Sequence, residues 1–70
     1  MEMIAVDSSN VAAIGYDPEN AVLRIQFKPA NLYEYYDVPQ FEYDGLMGAE
    51  SKGQYGHQNI YKKYRQTKIG

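Results

Sequence analysis

The stretch AVLRIQFK (21–28) alternates, with Leu23, Ile25 and Phe27 facing one way and Val22, Arg24, Gln26 and Lys28 the other. A period of two specifies a strand with one side buried and one side wet. Such a strand cannot stand alone. It commits the chain to a sheet with an apolar face that another layer must cover.

The neighbouring sequence supplies partners. IAVD (4–7) and VAAIGY (11–16) read as short strands. The polar turn between them contains Ser8, Ser9 and Asn10, whose side chains bond neighbouring backbone. DPEN (17–20) places Pro18 where a type I turn wants it. After PAN (29–31), LYEYYDV (32–38) is the next strand.

Val38-Pro39 then changes the period, and QFEYDGLMGAE reads as a short helix begun by Pro39, with Tyr43, Leu46, Met47 and Ala49 inward. Gly45 and Gly48 each cost ~1 kcal/mol against alanine in a helix interior, so close packing is expected at both. SKGQYG (51–56) reads as a loop and HQNIYKKYRQ (57–66) as a second helix, with Ile60 and Tyr64 at i, i+4. The implied fold is α+β: a small antiparallel β-meander of three to four strands, packed on one face by two short C-terminal helices. One domain spans residues 1–70.

The hairpin turn decides which tyrosines point inward. With PAN as a three-residue loop, Lys28 faces Leu32, Phe27 faces Tyr33 and Ile25 faces Tyr35. Tyr33 and Tyr35 then share the core face, while Tyr36 lies with Leu32, Glu34 and Val38 on the other, beside Arg24, Gln26 and Lys28. A two-residue loop would exchange the two sets. Turn chemistry favours three residues, since Pro suits the first place and Asn the third.

Composition narrows the means of stabilisation. A chain this short buries only ~60% of its unfolded surface. It has no cysteine, and a single histidine (His57) cannot build a zinc site of the usual kind, so no metal or cofactor is expected. Eight tyrosines and two phenylalanines supply the bulk instead. The longest apolar run falls far short of the ~20 residues that span a bilayer. MEMIAVDSSN lacks the basic start and apolar stretch of a signal peptide. A cytoplasmic protein with no membrane partner is expected.

Charge is divided unevenly. Residues 1–51 carry all nine acids, whereas residues 52–70 carry Lys52, Lys62, Lys63, Arg65 and Lys68 and no acid. That tail either marks an anionic partner or is a solvated helix end. The candidate nucleic-acid surface combines Arg24, Tyr36, Lys52, Tyr61, Lys62, Lys63, Arg65 and Lys68, because single-strand binding needs cations for phosphates and flat rings for bases. The glycines of SKGQYGH (51–57) have the spacing of a phosphate cradle, but a helix C-cap at Gly53 is the simpler account. His57 with Ser8, Ser9 and Ser51 forms no catalytic motif, so neither an enzyme nor a small-molecule substrate is expected.

The order and spacing of SSN (8–10), IGYD (14–17), LRIQF (23–27), Tyr33-Glu34-Tyr35, Val38-Pro39, Tyr43, Leu46, Ala49, Ser51, Gly53, Tyr55 and Ile60 resemble the KTSC domain. This small domain ends some lysyl-tRNA synthetases and also occurs as a stand-alone bacterial or phage protein. The resemblance spans roughly residues 7–64. It assigns structural roles to Ser8, Ser9, Tyr16, Tyr33, Tyr35, Pro39, Ala49, Ser51, Gly53, Tyr55 and Ile60. Through the synthetase context it implies binding of tRNA or structured RNA. The other function class is a protein-interaction or assembly module that uses an exposed sheet face or edge.

Overall fold

The computed structural model describes all residues 1–70. Five antiparallel strands form one sheet in the order β1 (Met3–Ala5), β2 (Val11–Asp17), β3 (Val22–Phe27), β4 (Asn31–Tyr35) and β5 (Gln66–Lys68). Helices α1 (Gln40–Gly48) and α2 (Lys52–Asn59) lie between β4 and β5 in the chain. The fold is the expected α+β meander, with one strand more than expected.

The polar turns close as their side chains suggest. Ser8 Oγ accepts from the Val11 N–H at 3.3 Å. Asp17 accepts from the Glu19 N–H and from the Asn20 side chain, and the Asn20 bond is the main reason its carboxyl is held below the usual carboxylate value. In β2 a bulge between Val11 and Ala13 shifts the pleat by one residue. Val11 and Ile14, three apart, therefore both reach the core.

The β3–β4 turn is Lys28–Ala30 rather than PAN, and Ile25 pairs with Tyr33, Leu23 with Tyr35. The register differs by two residues from the expected one, so residues 32–35 keep their faces, but Val38, expected beside Tyr36 on the outer face, is core because the strand ends before it. Lys28 is drawn toward the β1–β2 turn instead: its N–H donates to Asn10 O and its Nζ to Ser8 O. Tyr35 is buried and Tyr33 packs against the core. β4 stops at Tyr35 rather than Val38, because Asp37 adopts a left-handed φ of 57° that ends the extended run.

The core consists of Val11, Ile14, Leu23, Ile25, Tyr35, Val38, Leu46 and Ile60. α1 contributes Leu46, with Tyr43 and Met47 packed beside it as expected. The Tyr43 ring stacks on Tyr16 at 5.0 Å, and the Tyr16 hydroxyl donates to Val38 O. Gly45 is small because the Tyr55 ring lies where its Cβ would be, whereas Gly48 faces open space.

The C-terminal third departs from expectation. Residues 51–56 are not a loop. Ser51 caps α2 by accepting from the Gln54 N–H at 3.2 Å, and the helix ends at Asn59. Gly53 lies in its first turn and is not a C-cap. Residues 60–64 then turn, and 66–68 add β5 to the edge of β4. The expected basic helix over 57–66 does not form. Edge pairing satisfies β4 backbone groups that a helix there would leave open.

Candidate aromatic cleft

Three rings on the helix-covered side of the sheet follow one another as offset near-parallel steps. Tyr33 and Tyr35 are 6.4 Å apart at 28°, and Tyr35 and Tyr61 are 5.9 Å apart at 27°. Phe27 stands edge-on to Tyr33 and Tyr61, and His57 edge-on to Tyr61. With Asn10, Lys28, Gly53 and Gln66, these residues line an open cleft of about 410 Å³.

The fold places each wall. Tyr33 and Tyr35 alternate inward from β4, and Gln66 shares their face because it pairs with Tyr35. Lys68 pairs with Tyr33 and is exposed on that same face. Tyr61 reaches the cleft because the chain turns as α2 ends, its N–H and that of Ile60 both donating to Gly56 O. Gly56 must lack a side chain, since the Tyr61 ring occupies that space. Burial pushes the Tyr35 and Tyr61 hydroxyls above the ordinary tyrosine value, and the Tyr61 hydroxyl has no hydrogen-bond partner in the protein.

The eight candidate nucleic-acid residues do not form one surface. Tyr61 belongs to the cleft and not to a basic helix face. Arg24 is paired with Glu34 across β3 and β4. Tyr36 is half-buried rather than free: Arg65 lies over its ring at 5.1 Å and its hydroxyl donates to Glu34. Lys52 donates to Met47 O and Ala49 O, closing the end of α1. Lys63 bonds Glu42 at 3.4 Å. Lys62, Arg65 and Lys68 remain exposed. Among residues expected to be structural, Ser8 and Ser51 serve turns and a cap, Ile60 is core, and Tyr55 bonds Glu42; Ser9 is exposed, while Pro39 and Ala49 bracket α1.

Glu42 is the residue that sequence reading missed. It is 2% exposed, and accepts from Tyr55 at 2.8 Å, Tyr64 at 3.0 Å and Lys63. Burial, then bonding to Glu42, raises the Tyr55 and Tyr64 hydroxyls above their ordinary value. Its signal was present: Glu42 lies four residues before Leu46, on the inward face of α1.

Comparison with known proteins gives a consistent set of likenesses. The sequence profile of the KTSC domain matches residues 7–64. A protein of Tsukamurella paurometabola is 36% identical over 63 residues, covering 90% of this chain and 94% of that protein. An uncharacterized protein of Stutzerimonas stutzeri is 36% identical over 99% of both chains. A lysine–tRNA ligase of Nostoc sp. is 30% identical across 96% of this chain, which corresponds to 12% of the ligase. The crystal structure of a KTSC domain protein from Yersinia pestis superposes with a TM-score of 0.95 at 39% identity, covering 99% of this chain and 97% of that one.

Proposed function

The chain belongs to the KTSC domain family, and from that premise we propose that it is a non-catalytic module binding the unpaired nucleotides of tRNA or another structured RNA. The observation that carries this reading is the aromatic cleft, with Lys28 in its wall and Lys68 on the same sheet face. Flat rings accept any base by stacking, at ~1–3 kcal/mol per base, and nearby cations hold the backbone. The likeness to a segment of a lysine–tRNA ligase supports an RNA partner.

A backbone amide NMR titration with bulk tRNA, at low and then higher salt, tests the reading. Shifts at Lys28, Tyr33, Tyr35, His57, Tyr61 and Lys68 that fade with salt are expected, because displaced counterions make phosphate binding salt-dependent. Spectra unmoved by excess tRNA at low salt would overturn it. Lys62→Glu with Lys68→Glu is the suitable charge-reversal variant, since Lys63 is tied to Glu42.

A second reading is a protein-interaction or assembly module. The sheet face away from the helices favours it: half-exposed Ala13, Val22 and Leu32 surround the Arg24–Glu34 pair there. Binding through that face would respond weakly to salt.

A further inference from the structure

We infer that the aromatic cleft is a site for one nucleotide unit, a planar base with its phosphate, supplied either by an RNA strand or by a free mononucleotide. The inference rests on the recognition role proposed for the cleft but does not require a long RNA.

The size fits one unit and little more. At about 410 Å³ the cleft sits near the lower end of the roughly 300–1,000 Å³ range of small-molecule sites. A run of stacked bases would need an extended groove instead. The lining divides into chemically distinct parts. Tyr33 and Tyr61 supply the part-exposed aromatic surface, buried Tyr35 stands between them, and Phe27 is edge-on to both. A base laid against Tyr33 or Tyr61 gains stacking contact without regard to its identity.

Groups able to bond a base edge stand in the walls. The Gln66 and Asn10 amides each offer donors and an acceptor, and the His57 ring offers a donor and an acceptor when neutral. Gln66 pairs in the sheet with Tyr35, so it flanks the deepest ring. The Tyr33 end carries the positive charge. Lys28 belongs to the turn that follows Phe27, and Lys68 pairs with Tyr33. Gly53 in the first turn of α2 completes the wall, with an N–H that has no backbone or side-chain acceptor. Base-bonding amides and cations thus line the same cleft, with Gln66 beside Tyr35 and Asn10 beside Lys28, whose N–H it accepts. The helix-free sheet face lacks that arrangement, because Arg24 is bound to Glu34 and Arg65 covers the Tyr36 ring.

The test uses the intact 70-residue chain and isotope-edited NMR, with AMP, GMP, CMP and UMP, the matching nucleosides, inorganic phosphate, and single-stranded oligonucleotides of the four bases as probes. Mononucleotides are expected to shift Tyr33, His57, Tyr61 and Gln66 resonances. Nucleosides and phosphate alone should bind at least about tenfold more weakly than their mononucleotide, since each fills only half the site. Tyr33→Leu should weaken mononucleotide binding about tenfold or more, whereas Tyr36→Leu should not change it. Circular dichroism of both variants establishes that the fold is intact, and Lys68→Glu supplies an independent loss of binding if Tyr33→Leu unfolds.

Mononucleotide binding without any response to tRNA or oligonucleotides would uphold the site and remove the RNA reading. Oligonucleotides that bind while mononucleotides do not, or shifts centred on Tyr36 and Arg65, would overturn the site and leave the RNA reading standing. Silence toward every probe would overturn both.

Discussion

The carboxylate of Glu42 accepts a hydrogen bond from the Tyr64 hydroxyl at 3.0 Å, joining α1 to the segment after α2 across 22 residues of chain. Its other oxygen takes the Tyr55 hydroxyl at 2.8 Å. In a domain with eight residues in its apolar core, this buried polar junction ties α1 to α2 through Tyr55 and to the following turn through Tyr64 and Lys63.

Glu42→Ala should therefore destabilise strongly, by about 3 kcal/mol, because it strands two tyrosine hydroxyls that have no other acceptor. Tyr55→Phe and Tyr64→Phe should each cost about 1.5–3 kcal/mol, the range for a hydrogen bond to a charged group. Urea denaturation of the three variants measures this. Equal, small losses would show that the carboxylate is not a junction.

Gly45→Ala and Gly48→Ala should separate, although propensity treats them alike. Alanine at 48 meets nothing and should be neutral or stabilising by up to ~1 kcal/mol. Alanine at 45 collides with the Tyr55 ring and pushes its hydroxyl from Glu42. Thermal melts of the pair should place Gly45→Ala below the parent and Gly48→Ala at or above it.

Tyr35→Ala and Tyr36→Ala test the register. Tyr35 is 2% exposed, and its truncation should cost about 3 kcal/mol or more, as for other large core aromatics. Tyr36 loses a cation–π contact with Arg65 and a hydrogen bond at the surface, so about 1 kcal/mol is expected. Comparable losses from chemical denaturation would contradict the assignment of faces.

Alkaline pH should unfold the protein. Burial is the leading cause that holds the hydroxyls of Tyr16, Tyr35, Tyr55, Tyr61 and Tyr64 above the ordinary value. Their unfolded counterparts ionise first, near pH ~10. The stability they contribute is thus complete below about pH 10 and is lost as pH rises toward the folded-state values. Tyrosinate absorbance and circular dichroism should change together in one cooperative step. Tyrosines that titrate independently with the fold intact would contradict this.

What the sequence by itself determined was local: the alternation that makes β3, the turns at residues 8–10 and 17–20, and the helix that follows Pro39. Each follows from a period or a side chain acting on its own backbone. The signal for α2 was also local, since Ser51-x-x-Gln54 is the start of a capping box, but two glycines obscured it. Only the tertiary structure decided the rest. Glu42 is buried because two hydroxyls and an amine from elsewhere in the chain meet it. Gln66–Lys68 became a strand because the β4 edge was there to pair with, not because of any propensity of those residues. The cleft exists because that pairing and the turn after α2 bring Gln66 and Tyr61 to Tyr33 and Tyr35.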